Sequence, residues 1–300
     1  MHRVQDDLLF HALSANGGIR IVAVSGRALV EEAKNIHMLS RVATAALGRQ
    51  LLMTVIMASD QKGGGELVST IIKGDGPAGN LVCTGKADCT VKGCVMNGEV
   101  ELPPKKNGKL DVGGYVGHSG KLTVVRDLNM KEPYVGNCNL VSGEIAEDFA
   151  NYYTASLQQP SLVYLGVRVD IETGDVLAAS GLIAQPLPNC EDEAIDALQA
   201  RAGEIESLTK RLSDGETLLD AVRTALGTLD LTDIEYATPK YLCDCSRERV
   251  EKALLSTGRD EILDMIEKDG GAEVSCRFCD KVYAFSAGDL RALLKGAEEE

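Results

Sequence analysis

Two close pairs of cysteines, Cys243-Asp-Cys245 and Cys276-Arg-Phe-Cys279, constrain this chain more than any other feature. Thiolates on two short, tight segments supply the four ligands that a tetrahedral zinc site wants. The Cys-x-x-Cys spacing is familiar from zinc knuckles, and Cys-x-Cys is less common but sterically allowed. All four histidines, His2, His11, His37 and His118, lie far upstream. The protein ligands of a metal here are therefore expected to be Cys243, Cys245, Cys276 and Cys279. The competing readings are four unrelated buried thiols, or a Cys-x-x-Cys acting alone as a thiol oxidoreductase. The latter chemistry wants its motif beside a βαβ pattern, whereas Lys281–Phe285, just after Cys279, reads as a strand.

Energetics favour a structural metal. A module of about sixty residues has a small core and commonly needs a staple. Bound zinc contributes roughly 10–16 kcal/mol of apparent binding energy in such modules, so removing it should unfold them. The local signals agree with a folded unit. A helix is expected from about Ala287 to Lys295, with Ser286 at its N-cap, Asp289 three residues on, and Phe285 and Leu290 placed as a hydrophobic staple. Arg247, Arg249 and a helix start near Ser246 follow Cys245, a basic setting that favours the oxidisable thiolate form.

Compartment and charge narrow the function. Met1 to Ser14 carries Asp6 and Asp7 and no apolar core, so no signal peptide is read, and the longest apolar run, Leu51–Ala58, is too short to span a bilayer. The expectation is a cytoplasmic protein without a membrane partner. In that reducing setting nine cysteines are not expected to form a static disulfide framework. A net charge of −14 opposes nucleic-acid binding, which needs a basic face. The nearest basic run, Lys105, Lys106 and Lys109 after Pro103-Pro104, reads as a solvated loop.

The pattern along the chain predicts an α+β protein in three parts. Residues 1–185 form a mixed α/β main domain. Ile19–Val24 reads as a strand and Leu29–Met57 as one long helix or two. Leu67–Ile72, Asn80–Thr84, Thr90–Met96 and Lys121–Arg126 read as a strand meander. Ser142–Ala155 looks helical, and Ser161–Val169 with Val176–Ile183 a hairpin. Residues 186–239 form a helical linker: Ile195, Leu198, Ile205, Leu208 and Leu212 recur at helical spacing, as do Leu218, Leu219, Val222 and Leu226. That stretch either packs on the main domain or can detach. Residues 240–300 form the four-cysteine zinc module.

Tyr241-Leu-Cys-Asp-Cys-Ser-Arg-Glu-Arg-Val250 with Val274-Ser-Cys-Arg-Phe-Cys279 resembles the zinc module of the thirty-three-kilodalton heat-shock chaperone family of bacteria. Upstream, Ile72-Lys-Gly-Asp-Gly-Pro77, Lys131-Glu-Pro-Tyr134, Leu140-Val-Ser-Gly-Glu-Ile-Ala-Glu-Asp148 and Gly181–Pro188 look like that family's recurring segments. The resemblance runs in order over nearly the whole chain. It implies a redox-regulated holdase without ATPase or other enzymatic activity, inactive when reduced and zinc-bound. It also implies that oxidation pairs Cys243 with Cys245 and Cys276 with Cys279, releases zinc, and loosens the linker. Apolar surface then holds unfolding client proteins, usually as a homodimer. The apolar faces around Leu198, Ile205 and Leu208 are the candidate client surface. Bridges within such short loops could not replace a tie between the two segments. Cys83, Cys89, Cys94, Cys138 and Cys190 are extra to this switch, and Cys83 and Cys94, in strand-like segments, read as buried inert thiols.

Two further signals are read as structural. Gly74-Asp-Gly76-Pro-Ala-Gly79 fits G-x-G-x-x-G, but a strand rather than a helix follows it. Glu144, Glu147 and Asp148 crowd a helix start, where carboxylates complement the helix dipole. A zinc-stabilised binding module without redox switching is the remaining rival reading.

Overall fold

The computed structural model describes residues 7–15, 18–61, 63, 65–188 and 190–299. His2 and Asp6 lie outside them. The chain divides into two units, Met1–Leu242 and Cys243–Glu300.

The first unit begins with strands β1 (Leu8–Ser14) and β2 (Ile19–Ser25) and helices α1 (Arg27–His37) and α2 (Arg41–Ser59). The meander follows as β3 (Leu67–Gly74), β4 (Asn80–Lys86) and β5 (Thr90–Val95). Next come α3 (Val112–Val116), β6 (Gly120–Asp127), β7 (Tyr134–Asn139), α4 (Ala146–Leu157), β8 (Leu162–Val169) and β9 (Val176–Pro186). The unit closes with α5 (Asp192–Ala200), α6 (Ala202–Ile205), α7 (Leu208–Ser213), α8 (Leu218–Leu226), β10 (Leu231–Ala237) and β11 (Lys240–Tyr241). Two sheets result, a five-stranded one ordered β10-β1-β2-β9-β8 and a six-stranded one ordered β11-β5-β4-β3-β6-β7.

Helix α2 packs against strands of both sheets. Ser40 caps it by accepting the Ala43 N–H, and nearly all of its length is buried, the pattern of a core helix. Leu47, Leu51, Leu52 and Ile56 are fully buried, each stabilising the fold by about 1.5–3 kcal/mol. Close approach is possible because Gly48 and Gly93 lack side chains: a Cβ at Gly48 would lie 2.8 Å from Val30, and one at Gly93 2.9 Å from Leu51. A polar bridge fixes the register. The Gln50 amide donates to Thr70 O at 2.9 Å, and the Thr54 hydroxyl donates to Gln50 O at 2.7 Å. The apolar helix is thus longer than the run Leu51–Ala58 suggested. Its 19 residues match a membrane span in length and composition, yet 89% of that window is buried inside the protein.

The five-stranded sheet is covered on both faces. Leu9, Val22, Val24 and Ile183 face α2, whereas Phe10, Ile19, Ile21, Ala23, Leu182 and Ala184 meet Leu198, Ile205, Leu208, Val222 and Leu226 of α5–α8. Residues 186–239 therefore belong to the first compact unit in this structure. They also supply β10, a strand absent from the sequence expectation, which pairs antiparallel with β1 from Leu9↔Ala237 to Ser14↔Leu231. The final strand β11 pairs parallel with β5 through Lys240↔Thr90 and Tyr241↔Val91. The Tyr241 hydroxyl donates to Gly93 O at 2.8 Å.

Some local expectations shift. The helix expected from Ser142 starts at Ala146, because Asp148 gathers the N–H groups of Val141 (2.7 Å), Ser142 (3.1 Å) and Ile145 (2.9 Å) ahead of it. Lys105 is not part of a purely solvated loop: it pairs with Glu144, which also accepts from Arg49 at 2.7 Å. Gly74–Gly79 is the turn between β3 and β4, as expected.

The second unit contains α9 (Arg247–Thr257), α10 (Arg259–Asp264), a π-helical turn (Met265–Asp269), the hairpin β12 (Gly271–Ser275) and β13 (Val282–Ser286), and α11 (Ala287–Glu299). Its buried apolar set is small: Val250, Leu254, Ile262, Ile266, Tyr283, Phe285 and Leu290.

Candidate metal centre

Local chemistry builds the second unit around its cysteines. Ser246 caps α9 by accepting the Arg249 N–H at 3.3 Å, which fixes the chain directly after Cys245. Ser286 and Asp289 form the expected reciprocal cap on α11, with Ser286 N–H donating to Asp289 at 2.9 Å and Asp289 N–H to Ser286 Oγ at 3.2 Å. Phe285 and Leu290 are both buried in the same cluster. Cys276 and Cys279 sit on the tight turn joining β12 to β13, closed by Cys279 N–H to Cys276 O at 3.3 Å.

The four predicted ligand residues meet at one point. The sulfurs of Cys243, Cys245, Cys276 and Cys279 all lie within 4.8 Å of one another. Cys243 Sγ is 3.6 Å from Cys276 Sγ, and Cys245 Sγ is 3.4 Å from Cys279 Sγ. Sulfurs at the corners of a tetrahedron with Zn–S bonds of about 2.3 Å stand about 3.8 Å apart, so the arrangement fits a zinc ion with little adjustment. Among the described residues this is the only group of three or more His, Cys, Asp or Glu placed to share a metal. His11, His37 and His118 belong to the first unit.

Hydrogen bonds tune the sulfurs unequally. Cys243 accepts from the Cys245 N–H, and Cys279 from the Lys281 N–H. Burial nevertheless pushes both thiols up. At Cys245 burial also acts upward, but the Tyr283 hydroxyl and the neighbouring thiols outweigh it and bring its pKa to about 7. The hydroxyl donates to Cys245 Sγ at 3.1 Å, and that bond pushes the Tyr283 pKa up to about 12. The arginines expected to supply positive charge are engaged elsewhere. Arg247 stacks 4.1 Å over the Phe285 ring and pairs with Glu251 and Asp289, and Arg249 pairs with Asp244 at 3.0 Å. The sequence does not single out Tyr283, because in a strand it reads only as an inward-facing aromatic.

The other cysteines stand apart from the cluster. Cys83 is fully buried on β4, and burial drives its thiol well above the ordinary range. Cys89 is raised to about 11 by burial, and Cys138 is raised for the same reason. Cys94 and Cys190 are half-buried. The first unit also has a pocket of about 540 Å³ whose lining includes His11, Arg20, Ser59, Asp60, Glu235 and Tyr236. His11 Nε2 lies 2.9 Å from Ser59 Oγ. The Ser59 hydroxyl, however, donates to Ile56 O at 2.8 Å, so the imidazole must donate to the serine, the reverse of general-base activation.

Fold and centre together define a two-unit α+β protein whose second unit carries a four-cysteine cluster that fits a metal ion. The chain belongs to the Hsp33 protein family, whose sequence model matches residues 7–286. The 33 kDa chaperonin of Clostridium perfringens is 43% identical over 294 residues, covering 98% of this chain and 92% of that protein. The 33 kDa chaperonin of Gloeothece citriformis is 44% identical over 292 residues, covering 96% and 97%. The crystal structure of the Thermotoga maritima 33 kDa chaperonin superposes with a TM-score of 0.89 at 36% identity, covering 99% of this chain and all of that one.

Proposed function

We propose that this chain is a redox-regulated, ATP-independent holdase in which Cys243, Cys245, Cys276 and Cys279 hold zinc in the resting state. The convergence of four sulfurs from two segments carries this reading. Zinc, when bound, supplies a tetrahedral tie between those segments. The thiols themselves supply the switch. Four thiols and two molecules of hydrogen peroxide give two disulfides and four molecules of water, leaving no thiolate to hold a metal. Pairing Cys243 with Cys245 and Cys276 with Cys279 closes only tiny loops, which constrain the chain weakly compared with a long-range tie. A core of seven side chains then has no staple, and the module unfolds.

Loss of the module loosens residues 186–239, which act as a linker despite being folded on the first unit. Leu242 is still bonded to β5 through its N–H to Val91 O at 2.9 Å, and Cys243 is the next residue. Release of α5–α8 bares Leu198, Ile205 and Leu208 together with Phe10, Ile21 and Leu182 beneath them. That apolar surface holds partly folded client proteins, and the oxidised chain pairs as a homodimer. The protein acts in the cytoplasm, has no nucleic-acid or membrane partner, and catalyses no reaction.

Light scattering of a chemically unfolded client tests the reading. The oxidised protein, having released its zinc, should suppress aggregation without ATP, and the reduced, zinc-loaded protein should not. Equal suppression by both forms, or by neither, would sink the switch, and turnover of insulin disulfides would replace it with an oxidoreductase.

A further inference from the structure

Tyr283 sits on β13 opposite Val274 of β12, and strand alternation turns its ring and that of Phe285 inward. The residue is 6% exposed. A buried tyrosine hydroxyl needs a partner, and here that partner is Cys245 Sγ at 3.1 Å, from a segment 38 residues away. The side chain therefore crosses from the hairpin to the Cys-x-Cys segment and meets a metal-facing sulfur. Backbone N–H groups provide the donors to Cys243 and Cys279. These come from the chain turns themselves and survive any substitution except proline. The donor to Cys245 is a side chain and can be removed by one atom.

We propose that Tyr283 is a positioning residue of the metal centre, whose hydroxyl orients Cys245 Sγ toward the other three sulfurs and draws charge from it. The proposal rests on the zinc reading above and adds a determinant of how tightly the ion is held. Four thiolates around one divalent cation leave a net negative centre, and a donor to sulfur disperses that charge. Groups that contact ligands in this way change metal affinity by about 10–100-fold when removed.

Tyr283→Phe in the full-length protein keeps the ring in the core and removes only the hydroxyl. Zinc affinity is measured by competition with a chromophoric chelator, and cobalt(II) is used as a spectroscopic probe. The variant should bind zinc about tenfold or more weakly, and its sulfur-to-cobalt charge-transfer band should move to longer wavelength, because an uncapped thiolate gives up its electron more readily. Lys281→Met separates this from packing. Lys281 lies 5.1 Å over the Tyr283 ring, and losing it should change affinity less than about fivefold. Unchanged affinity and an unchanged band in Tyr283→Phe would overturn the proposal, as would an equal loss in Lys281→Met. A parent protein that binds neither zinc nor cobalt would overturn the zinc reading itself.

Discussion

The two units solve the problem of stability by different means. The first packs a largely apolar, buried helix against two sheets and covers the outer face of one sheet with four short helices. The second has seven buried apolar side chains, two reciprocal or single helix caps and a knot of four sulfurs. Burial scales with size, so area favours the large unit, and a small core such as the second unit's commonly needs a staple. On the proposed function, the small unit is the part that thiol chemistry would govern.

Removing metal should break the symmetry of their stabilities most strongly. Chelation under reducing conditions is expected to cost the second unit the roughly 10–16 kcal/mol that structural zinc supplies. Amides of residues 247–295 should then exchange freely, while those of α2 stay protected. Persistent protection in α9 and α11 would show that the small core suffices alone. Leu51→Ala attacks the opposite side. Its cavity should lower the stability of the first unit by about 2–5 kcal/mol and leave zinc affinity unchanged, which chemical denaturation and chelator competition would check together. Leu208→Ala probes the covering helices: a cost of about 2–4 kcal/mol should appear as faster exchange in α5–α8 before any change in α2, and as partial client holding by the reduced protein. Ser246→Ala removes one cap and should cost the second unit about 1 kcal/mol, read as a lower midpoint for its unfolding alone.

The smallest effect is in acid. Burial raises the Glu144 pKa, but hydrogen bonds from Lys105 and Arg49 outweigh it, so its carboxyl lies below the ordinary value of 4.5. A depressed carboxylate stabilises the fold above its unfolded pKa and is lost as pH falls. The first unit should therefore lose stability below about pH 4.5, and Glu144→Gln should flatten that slope while leaving the second unit's acid response as it was.

Local signals were legible in sequence, and long-range ones were not. The two close cysteine pairs, the Ser286–Asp289 cap and the meander strands β3 to β6 are written in neighbouring residues. Strand β10 was hidden because its alternation is weak, and its partner β1 lies at the other end of the unit. Strand β7 carries Gly136, Asn137 and Asn139, a composition that reads as loop until β6 pairs with it. Lys105 looked solvated because Glu144, its partner, is 39 residues away. Tyr283 followed the same rule: its place on β13 was readable, but the sulfur it meets was not.

The β1–β10 pair has a consequence for biosynthesis. Ser14 meets Leu231, and at about 5–20 residues per second the ribosome needs roughly 10–45 s to make the intervening 220 or so residues. Throughout that interval β1 lacks its β10 partner, and the apolar side chains of β1 and β2 lack the helices that cover them. A protein that shelters others would thus spend the first part of its own life in need of shelter.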